Sequence, residues 1–143
     1  MHLAQLNLAH ALADMEDPIM ADFINNVDRI NALSDKSDGF IWRLDVDYTG
    51  NSLGEVIFGN DYILVNMSVW KDRKSLFNFV YKSDHMEIFK RKKEWFQKMP
   101  KMHMVLWYVE EGHIPTVEEA RKRLEYLREH GESEYAFSFK SKY

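Results

Sequence analysis

Polar groups recur at alternate positions of an otherwise apolar stretch, YILVNMSVW at residues 62–70. Side chains alternate between the two faces of a strand, so Asn66, Ser68 and Trp70 share one face. The other face carries only apolar side chains, namely Ile63, Val65, Met67 and Val69. Amide and hydroxyl groups can orient a ligand's polar atoms or stabilise a developing negative charge, and an indole ring can stack on an aromatic ligand.

Other predicted strands also carry polar side chains on one face. Asn7 lies in the first strand, Arg43 in the second, and His103 shares a face of the fourth with Trp107. If the first and third strands are neighbours, Asn7 and Asn66 lie side by side. Such a mixture of rings and polar groups is typical of a small-molecule pocket. The alternative is a sheet with one solvent-exposed polar face, which the tryptophans on that face disfavour.

A histidine and a lysine fall on the apolar side of a helix predicted from Asp84 to about Met99. His85 lies near the helix N-terminus, where the dipole lowers its pKa and favours the neutral form. Neutral imidazole can act as a base or bind a metal. The ordinary alternatives stay open, namely a histidine satisfied within the core and a Lys92 side chain that extends to the solvent edge.

We therefore predict catalytic roles for His85 in proton transfer and for Asn66 and Arg43 in orienting or stabilising charge. The predicted substrate-binding residues are Asn7, Ser68, Trp70, Lys92, Trp95, His103 and Trp107. No metal site is expected, because the chain has no cysteine, no His-x-x-x-His pair and no paired carboxylates on a buried face. Glycine-rich phosphate loops and a Gly-x-Ser-x-Gly motif are also absent from the sequence.

The bulk composition indicates a single globular domain over residues 1–143, with 45% hydrophobic and 14% aromatic residues. The lack of cysteines excludes a disulfide framework and is compatible with the cytoplasm, which is the location that we expect. The N-terminus lacks the pattern of a signal peptide. The longest purely apolar run, Met104 to Val109, is too short to cross a bilayer, so no membrane association is expected.

Charge is distributed unevenly along the chain. Residues 1–61 hold 3 basic and 11 acidic residues, whereas residues 62–103 hold 10 basic and 4 acidic residues. The basic middle suits an anionic ligand or a nucleic acid, or it is a solvated helix face. The rings beside Lys90–Lys93 fall on the predicted core side, so we expect a small-molecule ligand and no nucleic acid.

Local signals place the elements in the order strand, helix, strand, strand, helix, strand, with a further helix and strand appended. The first half is predicted as a strand Leu3–Ala9, a helix from Asp17-Pro18 to about Lys36, a strand Phe40–Val46 and a connection over residues 47–61 with a short strand Val56–Phe58. The second half is predicted as the strand at 62–70, a helix from Asp72 to Lys82, the helix Asp84–Met99, a strand Met102–Val109, a helix from a Thr116/Glu119 capping box to Gly131, and a strand Tyr135–Phe139.

This order is that of a ferredoxin-like βαββαβ α+β sandwich with an appended C-terminal helix and strand. The clean apolar strand faces are expected beneath the helices. The mixed faces then need a cover, commonly a second copy of the chain, so that the cavity lies between two sheets.

Several runs of the sequence resemble a known family. They are GFIWRL, ILVNMSVW, FVY-x-SDH-x-x-x-F-x-R-x-x-EWF, and GHIPTVEEARKRLEYLREHG followed by YAFSF. Together they closely resemble the bacterial domain-of-unknown-function family 3291, which is similar to the dimeric α/β-barrel superfamily of antibiotic-biosynthesis and haem-degrading monooxygenases. The resemblance implies a homodimer of two ferredoxin-like protomers whose sheets face each other.

The wider superfamily implies an activity. Its cofactor-free monooxygenases oxidise polyphenolic substrates with asparagine and tryptophan residues, which Asn7, Asn66 and Trp70 match in type. Its haem-degrading branch resembles this chain at Asn7 and Trp70, but its axial histidine falls nearer Ile88 and Phe89 than His85. The expectation is a cofactor-independent, monooxygenase-like enzyme acting on an apolar or aromatic small molecule. The alternative is a non-catalytic protein that binds a small molecule or haem.

Overall fold

The computed structural model describes residues 1–46, 57–60 and 62–143. Within these ranges the fold is mixed α+β, with one antiparallel sheet of five strands and four helices. The strands are β1 (His2–Ala11), β2 (Phe40–Arg43), β3 (Ile63–Trp70), β4 (Phe96–Gln97) and β5 (Met104–Val109). The helices are α1 (Ala21–Asp35), α2 (Arg73–Lys82), α3 (His85–Lys90) and α4 (Val117–His130).

The N-terminal strand β1 lies at the centre of the sheet. It pairs along one side with β3 and along the other with β5 and the short β4, and β2 pairs with β3. The register places Asn7 opposite Asn66, and Gln5 opposite Ser68. The predicted adjacency of the first and third strands is therefore confirmed.

One face of the sheet is apolar throughout and lies under α4. Leu6 of β1, Met67 of β3 and Val105 of β5 join one buried cluster with Leu124 and Leu127 of α4. The prediction that the earlier helices cover this face is wrong. The chain leaves β5, turns back and lays the apolar stripe of α4 across the strands that precede it.

The other face, which we call the mixed face, carries α1, α2 and α3. Trp70 and Leu3 of this face are buried against Leu76 of α2, with Phe79 packed beside them. The far end of the same face, at Ala11, is buried under Met20 and Trp95, with Phe23 of α1 and Ile88 of α3 packed beside them. The chain's own elements thus cover parts of both faces.

Three helix starts follow the predicted capping signals. The Asp17 carboxylate accepts a hydrogen bond from the Ile19 N–H at a 3-10 turn (Pro18–Met20) that leads into α1. Asp72 accepts from the Ser75 N–H at α2, and Thr116 accepts from the Glu119 N–H at α4. Each of these oxygens satisfies an N–H that has no partner within its helix.

The predicted helix from Asp84 to Met99 is wrong beyond Lys90. A 3-10 turn, Lys92–Glu94, follows α3, and the chain then becomes extended as β4. Two contacts at the end of β1 explain the change: Trp95 is 1% exposed against Ala11, and β4 adds backbone pairs to this end of the sheet. The Asp84 side chain also makes no capping hydrogen bond, so the second capping box does not form.

Two predicted strands differ. The segment at 135–139 forms a single antiparallel bridge between Phe137 and Leu106 instead of a strand, and Arg73 donates to the carbonyls of Ser138 and Phe139. Residues 57 and 58, predicted as the end of a short strand, are helical, and residues 47–56 and 61 of the predicted connection lie outside the described residues. None of the helices in the described ranges has the length and apolar character that spanning a bilayer requires.

Candidate functional site

A hydrogen-bonded row of polar side chains crosses the centre of the mixed face, and we call Gln5, Asn7, Asn66 and Ser68 the amide row. The Gln5 Nε2 donates to Asn66 Oδ1 at 2.7 Å and to Ser68 Oγ at 2.8 Å. The indole Nε1 of Trp70 donates to the same Ser68 oxygen at 2.8 Å. Gln5 and Ser68 are only 6% and 7% exposed, whereas Asn7 and Asn66 are exposed. The row is a buried polar base with two amides at the surface.

The amide row retains hydrogen-bonding capacity that the described residues do not use. Both N–H groups of Gln5 are donated, and no donor in the described ranges reaches its Oε1. Within the same ranges, no fully buried side-chain nitrogen or oxygen lacks a partner, so this Oε1 borders accessible space. The Ser68 oxygen accepts two hydrogen bonds, which leaves its own proton to donate. The row therefore offers both an acceptor and donors to a ligand.

Helix α1 crosses the mixed face without packing closely on its centre. Its first turn packs on Trp95, whose ring centroid lies 5.8 Å from that of Phe23. At its other end Asp35 binds Arg43 at 2.8 Å, and Arg43 stands opposite Ser68 in the β2–β3 register. Between these two anchors α1 carries three partly buried apolar residues that pack against none of the buried clusters of the described residues, namely Val27, Ile30 and Leu33. The candidate site is the region between α1 and the amide row, which we call the cleft.

Two surface depressions of about 520 Å³ each lie elsewhere. One is lined by Tyr108 and Tyr143, and the other by Met102 and Arg128. None of the predicted site residues lines either depression. Neither depression therefore coincides with the predicted site.

Among the described residues, His85 has no direct contact with the amide row and is linked to it only through Phe79 and Trp70, whose indole donates to Ser68. Its ring centroid is 4.9 Å from that of Phe79, which stacks on Trp70 at 5.2 Å. The carbonyl of Val80 can only accept, so the His85 Nδ1 at 3.1 Å carries the proton and the Nε2 of the neutral ring keeps its lone pair. Burial lowers the pKa of His85 below its ordinary value of 6.5. The sequence predicted this direction but attributed it to the helix dipole.

Arg43 lies on the predicted face of the sheet, but two carboxylates neutralise its charge. The register puts it opposite Ser68, on the mixed face. Its guanidinium binds Asp35 at 2.8 Å and lies 3.8 Å from Asp45. These two carboxylates orient Arg43 towards the end of α1, so its predicted role in stabilising a ligand's charge is weakened.

The predicted contribution of the fourth strand, now β5, is wrong. Trp107 stands opposite Ala4, so it lies on the apolar face beneath α4, fully buried, and its Nε1 donates to Glu119 at 3.0 Å. His103 precedes β5 and is exposed. Leu106 is the residue opposite Gln5. Alternation within the strand was correct, but the register that decides which face joins the amide row was not.

Lys92 and Trp95 also lie outside the cleft, because the helix that would have carried them ends early. Lys92 is exposed, with its ammonium group 4.4 Å from the centroid of the Phe89 ring. Trp95 is buried at the end of β1, and the Arg91 guanidinium lies 4.8 Å over its ring. These contacts are structural, so the predicted substrate-binding roles lose their basis.

The central residue of the row, Gln5, was absent from the predicted site. Its position two residues before Asn7 already placed both on one strand face. The signal was therefore present, but only the cross-strand register reveals that Gln5 bonds two partners on β3. Within the described ranges no group of three or more histidine, cysteine, aspartate or glutamate residues could hold a metal ion.

Comparisons with known proteins find a matching family model and a solved structure of similar fold. A comparison with curated proteins finds no match. Among solved structures, one titled as a conserved protein from Methanosarcina mazei Go1 has a similar fold, with a TM-score of 0.55, 21% identity, and coverage of 75% of this chain and 91% of that one. The family model described as Domain of unknown function (DUF3291) matches residues 2–143. The chain therefore belongs to the DUF3291 family.

Proposed function

We propose that this protein binds a small apolar or aromatic molecule in the cleft between α1 and the amide row. One observation carries the proposal: the exposed amides of Asn7 and Asn66 adjoin the buried Gln5 and Ser68, and α1 on the same face carries partly buried apolar side chains that belong to none of the buried clusters of the described residues. Polar groups that converge within an apolar surround are the usual composition of a ligand site.

Ligand binding is favourable because the apolar part of the cleft gains burial and the polar part gains hydrogen-bond partners. The apolar side chains of α1 gain about 25 cal/mol for each Å² that a ligand removes from water. The free ends of the amide row gain hydrogen bonds that specify the ligand's orientation. A ligand that combines a ring with a polar group satisfies both requirements at once.

The topology supports a finer fold proposal. Strand order β2-β3-β1-β5, all antiparallel, with α1 following β1 and α2 following β3, is that of a ferredoxin-like protomer. The resemblance to dimeric α/β barrels favours a homodimer. The prediction that the mixed faces of two copies enclose a cavity between their sheets needs correction, because α1, α2 and α3 of the same chain already cover parts of that face. Light scattering on the purified chain measures the oligomeric state directly: a 17.1 kDa species opposes the homodimer and a doubled mass supports it.

The binding proposal is tested by titrating the protein with 2-naphthol and following the side-chain amide NMR signals. We expect the Asn7 and Asn66 signals to shift, and Asn66→Leu to weaken binding at least tenfold. Gln97→Leu is the matched control, because Gln97 is an exposed strand amide opposite His10, on the other face from the amide row. Equal affinity in wild type and Asn66→Leu would place the ligand elsewhere and refute the proposal.

A second candidate function is a cofactor-independent, monooxygenase-like oxidation of the bound molecule. The observation that favours it is His85, whose lowered pKa keeps the ring neutral while its Nε2 lone pair is free to accept a proton. In such a reaction the substrate itself supplies the electrons that reduce dioxygen. The Asn66 amide would stabilise the substrate anion that proton removal creates.

The catalytic candidate requires a turnover measurement on a molecule that binds the cleft. His85→Ala and Asn66→Ala should abolish dioxygen consumption in an oxygen electrode while leaving the melting temperature nearly unchanged. Turnover that persists in both variants, or none in the wild type with bound ligand, would leave binding as the function. The haem alternative has little support, because the positions that match its axial ligand are Ile88 and Phe89, which cannot bind iron.

A further inference from the structure

We infer that the ligand of the amide row carries an uncharged N–H group next to a carbonyl group, as a lactam ring does. This inference rests on the proposed binding function and specifies the chemical class of the ligand. It follows from three properties of the row: which atoms have no hydrogen-bond partner among the described residues, how the amides that carry them are joined, and which charges surround them.

The free atoms of the row differ in kind. The Gln5 Oε1 can only accept, and no donor among the described residues reaches it. Gln5 is nevertheless only 6% exposed. The Asn66 Nδ2 is an amide nitrogen, so it can only donate. The oxygen of the same amide already accepts from Gln5. Ser68 adds a further donor in its hydroxyl proton. A complete partner must therefore donate at one point and accept at another.

The free acceptor and the free donor belong to two amides on different strands, which favours a ligand whose donor and acceptor are different atoms. Gln5 lies on β1 and Asn66 on the neighbouring β3, and their amides are joined by one hydrogen bond of 2.7 Å between Nε2 and Oδ1. Their other ends, Oε1 and Nδ2, are not bonded to each other. A lactam offers N–H to Oε1 and C=O to Nδ2 on two atoms, whereas a hydroxyl offers both functions on one oxygen.

The charge around the row disfavours a carboxylate. Arg43 is the cation that the register places opposite Ser68, and it already binds Asp35 at 2.8 Å. A carboxylate has no proton to give to Gln5 Oε1 and would set two acceptors against each other next to a buried side chain. An uncharged ligand avoids both losses.

The test uses four bicyclic probes of nearly equal size, so that ring contacts stay constant: 2-quinolinone, N-methyl-2-quinolinone, 2-naphthol and 2-naphthoate. Dissociation constants are measured by calorimetry or by NMR on the full-length chain. We expect 2-quinolinone to bind about tenfold more tightly than its N-methyl form, the usual effect of one lost hydrogen bond beside a buried partner. 2-Naphthoate should bind most weakly.

A matched substitution then identifies the atoms involved. Asn66→Asp keeps the oxygen that accepts from Gln5 but replaces the donating Nδ2 with an acceptor. It should weaken 2-quinolinone at least tenfold and spare 2-naphthol, whose hydroxyl can donate to the new carboxylate. The order of the two affinities should therefore reverse, which a general loss of structure would not produce.

The failures of the two proposals are distinguishable. If all four probes bind equally, or 2-naphthoate binds most tightly, the lactam inference is overturned while binding at the cleft stands. If no probe binds, or if Asn66→Leu leaves every affinity unchanged, the proposed function itself is overturned and the inference falls with it.

Discussion

The two faces of the central sheet are built from the same strands but differ in composition and packing. The apolar face joins Leu6, Met67 and Trp107 to α4 in one cluster whose members are at most 9% exposed. Among the described residues, the buried clusters of the mixed face lie near its two ends, around Trp70 and around Trp95. Between those ends lie the amides of Asn7 and Asn66, which are exposed.

This difference shows where the fold is stabilised and where it is available for binding. A close-packed face contributes to stability through burial but has no room for a ligand. A face with free amide groups contributes less, because those groups bring no burial energy and need water or a ligand as a partner. Substitutions on the apolar face should therefore change the free energy of unfolding most, and those in the amide row should change binding most.

The largest expected effect on stability is that of Leu124→Ala in α4. Leu124 is fully buried against the apolar face, so its truncation should cost about 2–5 kcal/mol of unfolding free energy. Urea denaturation followed by circular dichroism measures the loss. Lys122→Ala, an exposed position on the same helix, is the control and should change stability by less than about 0.5 kcal/mol. Equal losses in the two variants would contradict the close packing of this face.

On the mixed face, Ser68→Ala should cost about 1–3 kcal/mol, because it removes the acceptor of the buried Trp70 N–H. A double-mutant cycle with Trp70→Phe isolates this contribution, since phenylalanine has no N–H to leave unpaired. We expect Ser68→Ala to cost less in the Trp70→Phe background. Strict additivity of the two substitutions would argue against the hydrogen bond.

The helix caps give a smaller effect that compares the two faces directly. Thr116→Ala removes the cap of α4 on the apolar face, and Asp72→Ala removes that of α2 on the mixed face. Each should cost about 1 kcal/mol. Thr116→Ser and Asp72→Asn keep an oxygen in place and should restore most of the loss; failure of both to do so would mean that the caps are not the cause.

The smallest expected effect is the pH dependence from His85. Burial lowers the folded-state pKa below 6.5, so the unfolded chain binds more protons in the interval beneath 6.5. Stability should be intact above this pH and should decrease as the pH falls through that interval towards the folded pKa. An NMR titration of the His85 ring should give a midpoint below 6.5, and His85→Gln should remove the histidine's share of the acid loss. A midpoint at or above 6.5 would contradict the burial.

Sequence reasoning succeeded where the determining interactions are local. Asp72 and Thr116 each accept the predicted hydrogen bond from an N–H three residues later. The other half of the Thr116/Glu119 capping box did not form as predicted, because the Glu119 carboxylate binds Trp107 Nε1 and His113 Nε2 instead. The alternation of β3 separated Met67 from Ser68 correctly, because strand periodicity is set by backbone geometry.

It failed where a distant segment decides the outcome. Residues 92–99 have helical periodicity, but pairing with β1 and the burial of Trp95 draw them into a turn and a strand. The face of Trp107 depends on its register with Ala4, about a hundred residues earlier, which no local pattern encodes. In the amide row Asn7, Asn66 and Ser68 were predicted, but Gln5 was missed for the same reason, because its hydrogen bonds cross from β1 to β3.

The central position of β1 also determines when the sheet can form during synthesis. Gln5 is separated by 63 residues from its partner Ser68, and β5 at Met104–Val109 fills the other side of the same strand. Because β1 precedes both β3 and β5 in the chain, it waits until synthesis has passed β5 before both of its edges are paired. Such long-range pairing slows folding, because chain entropy is lost before the contacts that compensate for it form. Productive folding should thus begin only after β5 has emerged, and a chaperone that shields the free edges of β1 until then would raise the yield.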